Sequence, residues 1–172
     1  MNRPQHATLR GPVNIVGAGP TGALLAILLQ AQGLDVTLYE ARTDPRGSPG
    51  ESGRSINLAL ADRGIHALKL AGVYDDIAAT LVTMRGRLIH QHGSESLHLY
   101  GQRPAEVIYS ISRHLLNQAL LRVAVQRHGV KVNFEHRLEG ADFESGTMHI
   151  RDLRLDRLAQ VPMTPALATD GA

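Results

Sequence analysis

Gly17-Ala18-Gly19-Pro20-Thr21-Gly22 constrains this chain more than any other stretch of it. It follows the apolar run Val13 to Val16, which reads as a buried strand, and it opens a helix predicted over Pro20 to Gln32. Strand, glycine turn and helix in that order begin a nucleotide-binding βαβ unit. One glycine permits the tight turn off the strand, one lets backbone approach a pyrophosphate, and one lets helix and strand pack closely. The helix N-terminus offers unpaired N–H groups and a partial positive charge to phosphates. Asp35 to Tyr39 reads as the next strand, and Glu40 ends it about 20 residues on, where a carboxylate accepts ribose hydroxyls and repels a 2′-phosphate. Gly17, Gly19, Gly22 and Glu40 are therefore candidate dinucleotide contacts. FAD and NAD share this pattern, so it leaves the cofactor open.

The remaining pattern continues α/β. Leu24, Leu25, Leu28 and Leu29 form an apolar stripe on the first helix, which Gly33 ends. Asp44 to Gly53 is loop, rich in Pro, Gly and Ser. Asp62 to Ala71 reads as a helix, and Arg87 to Gln91 with Ser96 to Tyr100 as a hairpin around Gly93. Glu106 to Ile111 is a predicted strand. Leu115, Leu116, Ala119, Leu120, Val123 and Ala124 mark one face of a helix that Gly129 stops. Val130 to Phe134 is strand, and Ala141 to Phe143 pairs with Thr147 to Leu153 across Ser145-Gly146; beyond that the pattern decays into Val161-Pro-Met-Thr-Pro. The expected fold is a Rossmann-like α/β domain for FAD or NAD(P), with a parallel sheet and the start of an antiparallel sheet on the substrate side. Arg113 stands in the first turn of its helix behind Ser112, a candidate N-cap. A cation there opposes the helix dipole by roughly 0.3–1 kcal/mol. That points to an anionic partner such as a phosphate; a surface pair with a carboxylate is the alternative.

Composition excludes several classes. A formal net charge of +2, with both signs spread along 172 residues, gives no case for nucleic acid. The absence of cysteine excludes a disulfide framework, a thiolate metal site and a Cys nucleophile, and fits a cytoplasmic location. The longest apolar run, Ala23 to Leu29, is far short of the roughly 20 residues of a membrane helix, and Arg3, His6 and Arg10 precede no signal-peptide core. His90 and His92 fall on one face of a predicted strand with no third ligand placed beside them, so no metal is expected. Ser55 and Ser110 lack the Gly-x-Ser-x-Gly elbow of a hydrolase.

Several segments carry a more specific likeness. These are Tyr39-Glu40-Ala41-Arg42, Gly53-Arg54-Ser55-Ile56-Asn57-Leu58-Ala59-Leu60, Met84-Arg85-Gly86-Arg87, Ile89-His90 and Leu99-Tyr100-Gly101. Ile111-Ser112-Arg113, Leu116-Asn117 and Asn133 to Leu138 extend it. Collinear from about Val13 to Leu138, the chain resembles the FAD-dependent aromatic hydroxylases, and within them the kynurenine 3-monooxygenases. The resemblance implies a flavoprotein monooxygenase that uses FAD, NADPH as cosubstrate and O2 to hydroxylate the ring of L-kynurenine ortho to its amine. It matches Thr21 to the glycine-loop position at the FAD phosphates, and Glu40 to the ribose-binding acid with Tyr39, Ala41 and Arg42 around it. It matches Ala59 to a flavin-side contact, Arg113 to a phosphate-side arginine and Leu138 to a backbone contact near the adenine. Arg87 and Tyr100 match the pair holding the substrate's carboxylate, a role suited to a guanidinium fork and a phenol donor.

The likeness also has limits. Thr169-Asp170-Gly171-Ala172 coincides with the start of the family's second FAD motif, with Ala168-Thr169 where Gly-Ala is usual. Residues 152–165 match poorly. The expectation is one FAD-binding domain over residues 1–172, the N-terminal part of a longer enzyme, with its substrate-side segment near 84–111 and little activity alone. Alternatives at this point are a hydroxylase of another aromatic ring and a non-catalytic FAD-binding remnant. Oligomeric state is not legible.

Overall fold

Val13, Asn14, Ile15 and Val16 are all buried, which is what a strand covered on both faces requires. They form β1 (Pro12–Val16) in a computed structural model that describes residues 11–47 and 56–171. The other strands are β2 (Asp35–Glu40), β3 (Asn57–Leu60), β4 (Val82–Met84), β5 (Gly86–Gln91), β6 (Ser94–Leu99) and β7 (Ile108–Ser112). They continue with β8 (Lys131–Phe134), β9 (His136–Asp142), β10 (Thr147–Asp152), β11 (Arg157–Pro162) and β12 (Ala166–Ala168). The helices are α1 (Pro20–Ala31), α2 (Asp62–Leu70), α3 (Tyr74–Ile77) and α4 (Arg113–Gln126). Gly53, Arg54 and Ser55 lie outside the described residues, as do the N-terminal basic residues and the second half of the predicted 44–53 loop.

The parallel sheet runs β12-β1-β2-β8. Its core merges with α1 and α4 around Ile15, Ile27, Val36, Leu38, Leu120 and Leu121. Three antiparallel sheets flank it in the chain: β3-β7-β4, the β5-β6 hairpin, and β11-β10-β9. This is the expected α/β architecture.

Several local expectations need correction. On α1 the most buried positions are Gly22, Ala23, Ala26 and Ile27, not the leucines. Small side chains let the helix approach its neighbours closely, so Leu24, Leu25, Leu28 and Leu29 flank the contact half-buried. On α4, Leu115 is exposed and Leu121 takes the buried position. The strand expected from Glu106 begins at Ile108, because Glu106 closes a turn instead: its carboxylate accepts the N–H groups of Gln102 and Arg103. His92 is not on a strand face; with Gly93 it makes the two-residue turn between β5 and β6, and both have positive φ. Where the pattern decays, two further strands exist. β11 pairs antiparallel with β10, and β12 follows Pro165 to pair with β1.

Buried Asn14 explains how so short a strand is held. Its Nδ2 donates to Pro162 O at 3.1 Å and to Thr164 Oγ1 at 3.2 Å, fixing the segment that carries the chain from β11 into β12.

Candidate cofactor and substrate site

The glycine loop sits between β1 and α1, with Gly19 at the N-cap and Pro20 in the first turn, where its missing N–H is no loss. Gly17 has φ +98°, and its N–H donates to Tyr39 O at 2.8 Å. A Cβ at Gly17 would lie 2.7 Å from Asp170 N, and one at Gly22 would overlap Gly17 O and reach 2.5 Å from Thr169 Oγ1. Two of the three glycines therefore make room for the chain itself: the 169–170 segment lies against the loop. Gly19 differs, since a Cβ there would meet nothing within 4 Å. Its bare backbone faces open space at a helix N-terminus, the setting a pyrophosphate needs. Thr21 is exposed on the same first turn.

Glu40 is buried at the end of β2. Its Oε2 accepts the N–H of Ala18 at 2.9 Å, and its Oε1 accepts the backbone N–H of Arg42 at 2.9 Å and Arg42 Nε at 3.2 Å. Arg42 is exposed, and its carbonyl accepts the N–H of Glu135 between β8 and β9. Ala41 is half-buried. Tyr39 packs with Met148 and Ile150, against partly buried Leu138, so this second small core brings two of the candidate residues together. Burial pushes the Tyr39 phenol pKa above its ordinary value.

Ala59 is exposed on β3, opposite Ser110 of β7. The same pairing brings the start of α4 to Ile56, whose carbonyl accepts the Arg113 N–H at 3.0 Å. Ser112 occupies the N-cap position, but its side chain makes no capping bond. Arg113 is exposed and forms no ion pair among the described residues. Behind it, His114 Nε2 and Asn117 Oδ1 are buried without a hydrogen-bond partner.

Arg87 and Tyr100 belong to the β5-β6 hairpin, which among the described residues hydrogen-bonds to no other sheet. Arg87 stands directly opposite His98, and Tyr100 N–H donates to Arg85 O at 3.0 Å, continuing the ladder by one pair. Tyr100 is two positions from His98, so Arg87, His98 and Tyr100 share one face. The opposite face carries His90 and Glu95, with His90 Nδ1 3.0 Å from Glu95 Oε1. A Cβ at Gly101 would overlap the Glu106 side chain, which is why a glycine follows Tyr100. Sequence reasoning missed Thr169, His98 and the occupied state of Glu40. Only the likeness of 169–172 to a second FAD motif hinted at the first. Among the described residues no group of three His, Cys, Asp or Glu could hold a metal, and no helix is long and apolar enough to cross a membrane.

The family model described as FAD binding domain matches residues 10–172. Proteins named kynurenine 3-monooxygenase are similar: that of Stenotrophomonas maltophilia (strain K279a) is 48% identical over 161 residues, 93% of this chain and 35% of the relative. That of Xanthomonas axonopodis pv. citri (strain 306) is 47% identical over the same shares. The chain thus spans about a third of the length of these relatives. Among solved structures, the flavin-dependent monooxygenase PieE in complex with FAD and substrate superposes with a TM-score of 0.78 at 22% identity, over 96% of this chain and 31% of that one. The p-nitrophenol 4-monooxygenase PnpA of Pseudomonas putida DLL-E4 gives 0.76 at 20% identity, over 95% and 42%. At such identities these two show the fold alone. The chain belongs to the FAD binding domain family.

Proposed function

We propose that this chain is the FAD-side portion of an NADPH-dependent monooxygenase that hydroxylates L-kynurenine. The observation that carries the reading is the hairpin register, which sets Arg87 and Tyr100 on one face free of carboxylates, together with relatives 45–48% identical that bear the kynurenine name. In this reading residues 1–172 form the FAD-binding domain and residues 84–111 face the substrate.

Gly19 and Thr21 offer loop and helix N–H groups to the pyrophosphate, while Gly17 and Gly22, bare of side chains, let the loop pack closely enough to present them. Glu40 holds the adenosine ribose, flanked by Tyr39, Ala41 and Arg42. Arg113 meets a phosphate, Ala59 lies beside the flavin and Leu138 near the adenine. When bound, FAD supplies the redox chemistry that couples NADPH oxidation and O2 reduction to ring hydroxylation. The chain's own contribution is to bind and orient. Arg87 takes the carboxylate of the amino-acid side chain with two parallel hydrogen bonds, and the Tyr100 hydroxyl donates a third. This fixes which end of the molecule points at the flavin.

Arg87→Ala in the chain saturated with added FAD tests this. Kynurenine titrated against flavin absorbance should bind about 10- to 100-fold more weakly, the range of a lost charged hydrogen-bond pair, while FAD occupancy stays unchanged. Equal kynurenine affinity in the variant and the parent chain sinks the assignment.

A further inference from the structure

The Gly17–Ala18 peptide is held at both ends by side chains from distant parts of the chain. Its N–H donates to Glu40 Oε2 at 2.9 Å. Its carbonyl, Gly17 O, accepts from Thr169 Oγ1 at 2.8 Å. The same hydroxyl lies 3.0 Å from Val16 O, but that carbonyl already receives the Thr169 backbone N–H at 2.7 Å. Gly17 O has the hydroxyl as its one hydrogen-bonding partner among the described residues. A hydroxyl has one proton to give, and the orphaned carbonyl is the acceptor that needs it.

Orientation of this peptide matters because it is the first unit of the turn. With positive φ at Gly17, rotation of the 17–18 plane would re-aim every N–H that follows, including that of Gly19, whose backbone fronts the open space. We infer that Thr169 is a positioning residue for the FAD pyrophosphate: its hydroxyl, opposite Glu40, locks the Gly17–Ala18 peptide so that the loop is set before cofactor arrives. The pairing of β12 with β1 brings Thr169 to the loop, and absent side chains at Gly17 and Gly22 leave it room. An alanine here, with no hydroxyl, would give the carbonyl nothing. This inference rests on the reading that the loop holds the FAD pyrophosphate.

Thr169→Val keeps shape and removes the donor; Thr169→Ser keeps the donor and removes the methyl. FAD and ADP affinities, measured by calorimetry on the full 172-residue chain, are read beside amide hydrogen exchange at Ala18 and at core residues Ile27 and Leu120. Thr169→Val should weaken both ligands about tenfold, the loss of roughly one net hydrogen bond, and speed exchange at Ala18 but not in the core. Thr169→Ser should keep affinity and Ala18 exchange near those of the parent chain. The inference is overturned if Thr169→Val binds FAD as the parent does, if Thr169→Ser is impaired as much as Thr169→Val, or if Ala18 and the core exchange faster together. A parent chain that binds neither FAD nor ADP overturns the cofactor reading; unchanged Ala18 exchange in Thr169→Val overturns the lock itself.

Discussion

Glu40 has about four lone-pair sites on its carboxylate, and three are filled by Ala18 and Arg42. A ribose that offers two hydroxyls must therefore displace the Arg42 side chain. That side chain is 66% exposed, so the bond it gives up is a weak one. Two residues on, Asp44 and Arg46 form a tighter local pair, with Arg46 Nη2 2.6 Å from Asp44 Oδ2 and the guanidinium 5.6 Å from the Phe134 ring. The side-chain hydrogen bonds from Arg46 hold the Asp44 carboxyl below the usual carboxylate range. A lowered folded-state pKa gives stability that is present above the unfolded value and lost as pH falls through the folded one. The parent chain should accordingly exceed Asp44→Asn in stability at neutral pH, by about 1 kcal/mol or less because Asp44 is 38% exposed. The gap should close below about pH 4, the ordinary Asp value. Urea midpoints of both proteins across that range measure it, and a gap that widens on acidification contradicts the pairing.

At the scale of elements, the site depends on β12, three residues held at one edge of the parallel sheet. Asn14→Leu would remove both donors that fix its approach and strand Pro162 O. The expected cost is about 1–3 kcal/mol in urea unfolding, with amide exchange at Thr169 rising ahead of that at Ile27. A variant that loses the stability evenly would show that Asn14 serves the core and not the edge. The β1-α1-β2 unit, Glu40 and the β5-β6 hairpin were legible in the sequence because each is specified by neighbours in the chain. A glycine turn, a helix start and a two-residue hairpin loop are local chemistry. β12 was not legible: Ala-Leu-Ala after a proline carries no period, and what makes it a strand is β1, about 150 residues away. Thr169 was hidden for the same reason. The α1 leucines misled because apolar period marks a face without telling which part of it a neighbour approaches most closely.

At the scale of the molecule, the hairpin that carries Arg87 and Tyr100 is open to water. Every residue of β6 is exposed, with Leu97 at 63% and Leu99 at 62%. A site so wetted cannot strengthen its electrostatics or protect reactive species by excluding solvent. These 172 residues should thus bind added FAD but too weakly to carry it through purification, and show no kynurenine-dependent NADPH oxidation, measured by visible absorbance and by NADPH consumption. A yellow, turning-over protein contradicts this. The β12-β1 pairing has one more consequence, in time. β1 leaves the ribosome early, but its outer edge and the Thr169 bond to its loop wait for some 152 further residues. At about 5–20 residues per second, the nascent chain spends roughly 8–30 s with that strand edge uncovered. During synthesis the glycine turn is present long before the peptide that locks it, and the hazard of that interval is mispairing at β1.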